Sequence, residues 1–118
     1  NSSGIFTFPS TGIYRIDAFS EFYSQYPDSA STDNWRIIYR IKTTTDNSNY
    51  TVVAVASTFI EAPASKFNSL YLFYFFDVTN TTTHKFKLNQ EVEAATVTFY
   101  GNSDKNQTGF FVTRLGDT

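Results

Sequence analysis

The stretch Leu70-Tyr71-Leu72-Phe73-Tyr74-Phe75-Phe76 constrains this chain more than any other. Successive side chains of a strand point to opposite faces, so a half-buried strand alternates apolar with polar residues. Here alternation disappears and both faces are apolar. Leu70, Leu72, Tyr74 and Phe76 can fill a core, which leaves Tyr71, Phe73 and Phe75 pointing out of the other side of their sheet. Burying three such rings would contribute on the order of 10 kcal/mol before entropic losses. An apolar patch of that size on a small domain marks a protein contact, so self-association along it is expected, with Tyr71, Phe73 and Phe75 as the interface. The competing expectation is that another loop or segment roofs them over.

The rest of the chain also reads as strands. Aromatic residues make up 19% of it, and Thr, Ser and Asn are abundant, which suits pleated surfaces and is poor helix material. Gly4 to Phe8 is a short strand closed by Pro9-Ser10-Thr11-Gly12. From Ile13, Tyr14, Ile16, Ala18, Ser20 and Phe22 take one face, and Arg15, Asp17, Phe19, Glu21 and Tyr23 the other. Ser24 to Asn34 is an exposed loop. Trp35 to Lys42 alternates with Trp35, Ile37, Tyr39 and Ile41 inward, followed by a polar hairpin loop and a Val- and Thr-rich strand from Tyr50 to Ile60. Lys66 to Val78, Thr83 to Leu88, Ala94 to Tyr100 and Gly109 to Leu115 complete eight strands with no helix. Eight antiparallel strands in a 118-residue chain predict one all-β domain, residues 1–118, folded as a jelly-roll β-sandwich.

Composition narrows the chemistry. The chain has no Cys and one His, which excludes disulfides, thiolate chemistry and Cys-based zinc sites. A net charge of −2 is the opposite of a nucleic-acid footprint, so no nucleic-acid partner is expected. The longest apolar run is far short of the roughly 20 residues of a spanning helix, so no membrane insertion is expected. His84, with Thr83 and Lys85 beside it, is expected to be a structural residue on a strand. Glu91 and Glu93 could pair for glycoside chemistry, yet they flank Val92 in what reads as a solvated turn. Asp28, Asp33, Asp46 and Asp104 all lie in loops but are isolated, not spaced as the oxygen cage calcium needs. Asn1, Asn49, Asn80 and Asn106 head glycosylation sequons. No catalytic residue, cofactor or metal is expected. Sugars stack on aromatic rings and bond to carboxylates, so Tyr23, Tyr26 and Asp28 are the candidate ligand loop.

Gly4-Ile5-Phe6-Thr7-Phe8-Pro9-Ser10-Thr11-Gly12-Ile13-Tyr14 resembles the G-x-F-x-x-P-x-x-G-x-Y stretch of the complement globular head and tumour necrosis factor-like jelly rolls. Thr108 to Gly116 is similar to their last strand, and Ser69 to Phe73 resembles the strand that lines their threefold axis. Asp77 to Lys85 and Gly101 to Thr108 resemble the tailed-bacteriophage branch, whose domains sit on virion fibres and decoration proteins. The resemblance implies a homotrimer on the virion surface, a fibre head or capsid decoration that contacts other virion proteins or a host surface glycan or receptor. The same fold also serves secreted trimeric ligands and glycan-binding modules, which is the alternative. Members of the family carry two further strands ahead of the G-x-F segment. The resemblance therefore implies the C-terminal part of a longer chain, with those strands supplied upstream or by another subunit.

Overall fold

The computed structural model describes residues 4–24, 35–60, 66–92, 97–100 and 108–118. Residues 25–34 of the expected loop and 94–96 of the expected strand Ala94 to Tyr100 lie outside the described residues, as do 61–65 and 101–107. Two antiparallel sheets form a sandwich, with no helix among the described residues. The strands are β1 (Ile5–Thr7), β2 (Gly12–Ser24), β3 (Trp35–Thr44), β4 (Thr51–Ile60), β5 (Lys66–Val78), β6 (Lys85–Val92), β7 (Val97–Tyr100) and β8 (Gly109–Gly116).

Sheet A has the order β1-β6-β3-β4; sheet B sets β5 on one side of β2 and both β7 and β8 on the other. β2 is 13 residues long, and its outer edge is shared: β8 pairs with Ile13 to Phe19, and β7 with Glu21 to Ser24. Eight strands thus make a sandwich four and three strands wide. Every connection except β3–β4 and β7–β8 crosses between the sheets, which is how a jelly roll winds.

Period-two alternation explains the core. Tyr14, Ile16, Ala18 and Phe22 of β2 and Leu70, Leu72 and Phe76 of β5 meet Ile37, Tyr39 and Ile41 of β3 and Phe86 of β6. Phe8 packs its ring 5.5 Å from Phe86 and 5.6 Å from Phe76, which closes one end. Ser20 is buried on this inner face, and Gln90 of β6 donates to its hydroxyl at 2.8 Å, so a polar bond ties the two sheets together. Gly12 has φ 147°, and an added Cβ would meet the Gly116 carbonyl oxygen at 2.6 Å. Only glycine lets the end of β8 come that close to the start of β2.

β2 runs to Ser24 and β3 to Thr44, past the loop starts expected at Ser24 and Thr43, and two candidate residues are placed differently from the sequence reading. His84 lies in the turn just ahead of β6, because strand pairing begins at Lys85 opposite Thr44 and Thr7. Glu91 is on β6 and not in a turn, because pairing with β3 runs on to Val92 opposite Ile37.

Candidate functional site

The long β2–β5 pairing positions the site. Its register sets Arg15 opposite Phe75, Asp17 opposite Phe73 and Phe19 opposite Tyr71, with Asp17 opposite Phe111 on the β8 side. These residues all stand on the outer face of sheet B, since their neighbours Tyr14, Ile16, Ala18, Leu72 and Phe76 fill the core. Tyr71, Phe73 and Phe75 are 52%, 47% and 50% exposed. Ile13, Phe67 and Phe111 are exposed on the same face by register, and Leu115 is exposed at the irregularity where β8 meets the start of β2. At about half exposure and 150–250 Å² per aromatic ring, the five rings among these residues present on the order of 500 Å². That is at the upper end of the 300–600 Å² or so of the largest patch on a typical monomer. Nothing among the described residues roofs the row over.

A polar cluster interrupts this face. Arg15 Nε donates to both carboxylate oxygens of Asp17, at 3.0 and 3.1 Å, and Arg15 Nη2 donates to the Tyr71 hydroxyl at 2.9 Å. The Tyr71 hydroxyl in turn donates to Asp17 Oδ1, which closes a ring of three groups. Asp17 is only 2% exposed although it points away from the core, because Arg15 and the neighbouring rings cover it. The Arg15 guanidinium also lies over the rings of Phe73 and Phe75, at 4.8 and 5.7 Å from their centroids. The bond to Tyr71, and next that to Asp17, raises the Arg15 pKa above its ordinary value, so this cation is permanent.

The sequence placed Tyr71, Phe73 and Phe75 on this face but missed Asp17 and Arg15 as its centre. Period two already put both on the outer side of β2. Their contact with Tyr71 depends on which strand pairs with β2 and in what register, and that pairing joins residues more than 50 positions apart.

The other candidates stand elsewhere. Tyr23, at the far end of β2, is half-buried with its ring 4.7 Å from that of Phe67; Tyr26 and Asp28 lie outside the described residues. His84 has both ring nitrogens hydrogen-bonded, Nε2 to Thr79 and Nδ1 to Thr83, and its ring stacks on Phe76 at 5.6 Å. Glu91 pairs with Arg40 at 2.5 Å, and Glu93 lies outside the described residues. Asp46 holds the β3–β4 turn. Its carboxylate accepts from the Asn49 side chain, from the backbone N–H groups of Asn49 and Ser48, and from Thr44, which keeps it well below the usual carboxylate range. Asn49 is thus built into its turn, and Asn80 Oδ1 accepts from the Thr82 and Thr83 N–H groups. Asp33, Asp104, Asn1 and Asn106 lie outside the described residues.

No protein-family model matches this chain, and no curated protein matches it.

Proposed function

We propose that this domain is a non-enzymatic assembly module, a homotrimer joined along the outer face of sheet B. It would serve as an exposed part of a virion, a fibre head or capsid decoration that contacts other virion proteins or a host surface glycan or receptor. The observation that carries self-association is the half-exposed row Tyr71, Phe73 and Phe75 within a wider apolar face. Its rings alone supply more than half of the roughly 800 Å² that each partner contributes to a standard stable interface. The Arg15–Asp17–Tyr71 ring suits such a place, because a neutralised polar group inside an apolar contact penalises wrong registers. The number three and the virion setting follow from the resemblance of the Gly4 to Tyr14 and Ser69 to Phe73 segments. A non-catalytic role is consistent with His84 and Glu91, both engaged in structural bonds.

Light scattering at micromolar concentration should give three times the 13.4 kDa of one chain. Phe75→Asp should then give the monomer with its β circular dichroism intact. Phe75 is the position of choice because it stands opposite Arg15, so the new carboxylate meets a cation. At Tyr71 the same change would set a second carboxylate against buried Asp17. A monomeric parent protein, or an unchanged mass for Phe75→Asp, would remove the basis of the proposal.

A further inference from the structure

We propose that the outer face of sheet A binds a linear polysaccharide bearing sulfate or carboxylate groups, through Lys42, Lys85 and Lys87. The chain is acidic overall, yet β3 and β6 carry Arg36, Arg40, Lys42, Lys85 and Lys87 on one side, with Glu91 as the acid among them. The inner side of the same two strands holds Ile37, Tyr39, Ile41 and Phe86, which fixes the orientation of the basic residues. Glu91 is occupied by Arg40, whose Nη1 also donates to Asn89 at 3.0 Å, and Asp46 is held within its own turn.

Lys42 and Lys87 are direct cross-strand partners. Like charges placed opposite each other destabilise a sheet, and their Cβ atoms are about 5 Å apart. Lys85 lies two residues along β6, about 7 Å away at the strand rise. None of the three forms an ion pair among the described residues; Lys87 instead sits over the Tyr50 ring at 4.1 Å. A short row of cations at this spacing is unfavourable alone and becomes favourable when anions repeated along a chain bridge it. Neighbouring Thr7, paired with Lys85, and Asn89 offer hydrogen-bonding groups suited to sugar hydroxyls. The exposed ring that a single-stranded nucleic acid would use for stacking, Phe59, stands opposite Arg36 and away from the three lysines, and Tyr50 is already covered by Lys87. This surface is on the sheet opposite the proposed assembly face, so its test does not depend on the oligomeric state.

A heparin decasaccharide titrated into the full chain by calorimetry supplies the probe, with neutral dextran and a single-stranded DNA of equal charge alongside. Binding of heparin at 0.15 M salt, weakening as salt rises, and no binding of dextran are expected. Lys42→Gln combined with Lys87→Gln should lower heparin affinity about tenfold, since two exposed ion pairs are lost. Lys85→Gln gives a second, independent reduction, and circular dichroism checks the fold of each variant. The proposal is overturned by absent heparin binding, by variants that bind like the parent, or by DNA bound as tightly as heparin.

Discussion

Tyr71 donates its hydroxyl hydrogen to Asp17 across the β2–β5 pair while accepting one from Arg15, so a single phenol bridges an anion and a cation on the outer face of sheet B. The bridge matters because the Asp17 carboxylate is withdrawn from water and depends on its donors. Tyr71→Phe keeps the ring and deletes only the hydroxyl. Hydrogen bonds to charged groups contribute about 1.5–3 kcal/mol, so the urea midpoint should fall by an equivalent amount. Light scattering should show the oligomeric mass retained, since the apolar surface is unchanged. A stability equal to that of the parent would show that Asp17 does not need this donor.

Phe86 ties the aromatic end of the core together, with ring centroids 5.0 Å from Phe6, 5.5 Å from Phe8 and 5.6 Å from Phe110. It is 1% exposed. Phe86→Ala leaves a cavity that rings from β1, β8 and the β1–β2 turn can fill only in part, and it should destabilise the domain by about 3–5 kcal/mol. Chemical unfolding checks this; a loss under 1 kcal/mol or so would mean that the edge of the sandwich collapses freely onto the vacated space.

Which parts of this were legible in the sequence follows from the range of each signal. Alternation is local, so the two faces of β2 and β5 could be read residue by residue, from Tyr14 to Tyr23 and from Leu70 to Phe76. The limits of β5, Lys66 and Val78, were equally plain because Pro63 and the Thr-rich run after Val78 punctuate them. Ile38 was harder. It stands on the charged side of β3, between Arg36 and Arg40 in sequence, yet it is 6% exposed. Burial of Asp17 could not be read at all, since a carboxylate between Ile16 and Ala18 signals water unless its partners are known. Those partners come from a pairing that links positions 15 and 17 to 71. The shared edge of β2 is also a long-range fact, for β7 and β8 look like two ordinary strands until both are seen against one.

Gly12 offers a backbone test. Its φ of 147° is one that residues with a Cβ rarely adopt, and the added atom would press on the Gly116 carbonyl oxygen and on Arg114 Nε at 2.7 Å. Arg114 itself donates from Nε and Nη2 to the Thr11 carbonyl, both at 3.1 Å, so the start of β2 and the end of β8 are held as one unit. Gly12→Ala should cost about 1–3 kcal/mol through strain at this junction. Thermal unfolding would register the drop, and hydrogen exchange should quicken first at β8. An unchanged melting temperature would mean that the junction yields without loss.

Tyr39 supplies the pH dependence. It is buried at the centre of β3, 2% exposed, and burial pushes its pKa up from 10.0 to about 12 because the phenolate is poorly solvated there. The folded state therefore holds this proton more tightly than the unfolded chain does. Below pH 10 or so the phenol is neutral in both states and the domain keeps its full stability. Between about pH 10 and 12 the unfolded chain releases the proton and the folded one does not, so stability falls as pH rises, by up to 2–3 kcal/mol. Tyr39→Phe removes that proton and should flatten this part of the profile without touching the region below pH 9 or so. Urea midpoints measured from pH 8 to 11.5 in both proteins are the check, and an identical alkaline slope would show that Tyr39 ionises as freely in the folded domain as outside it.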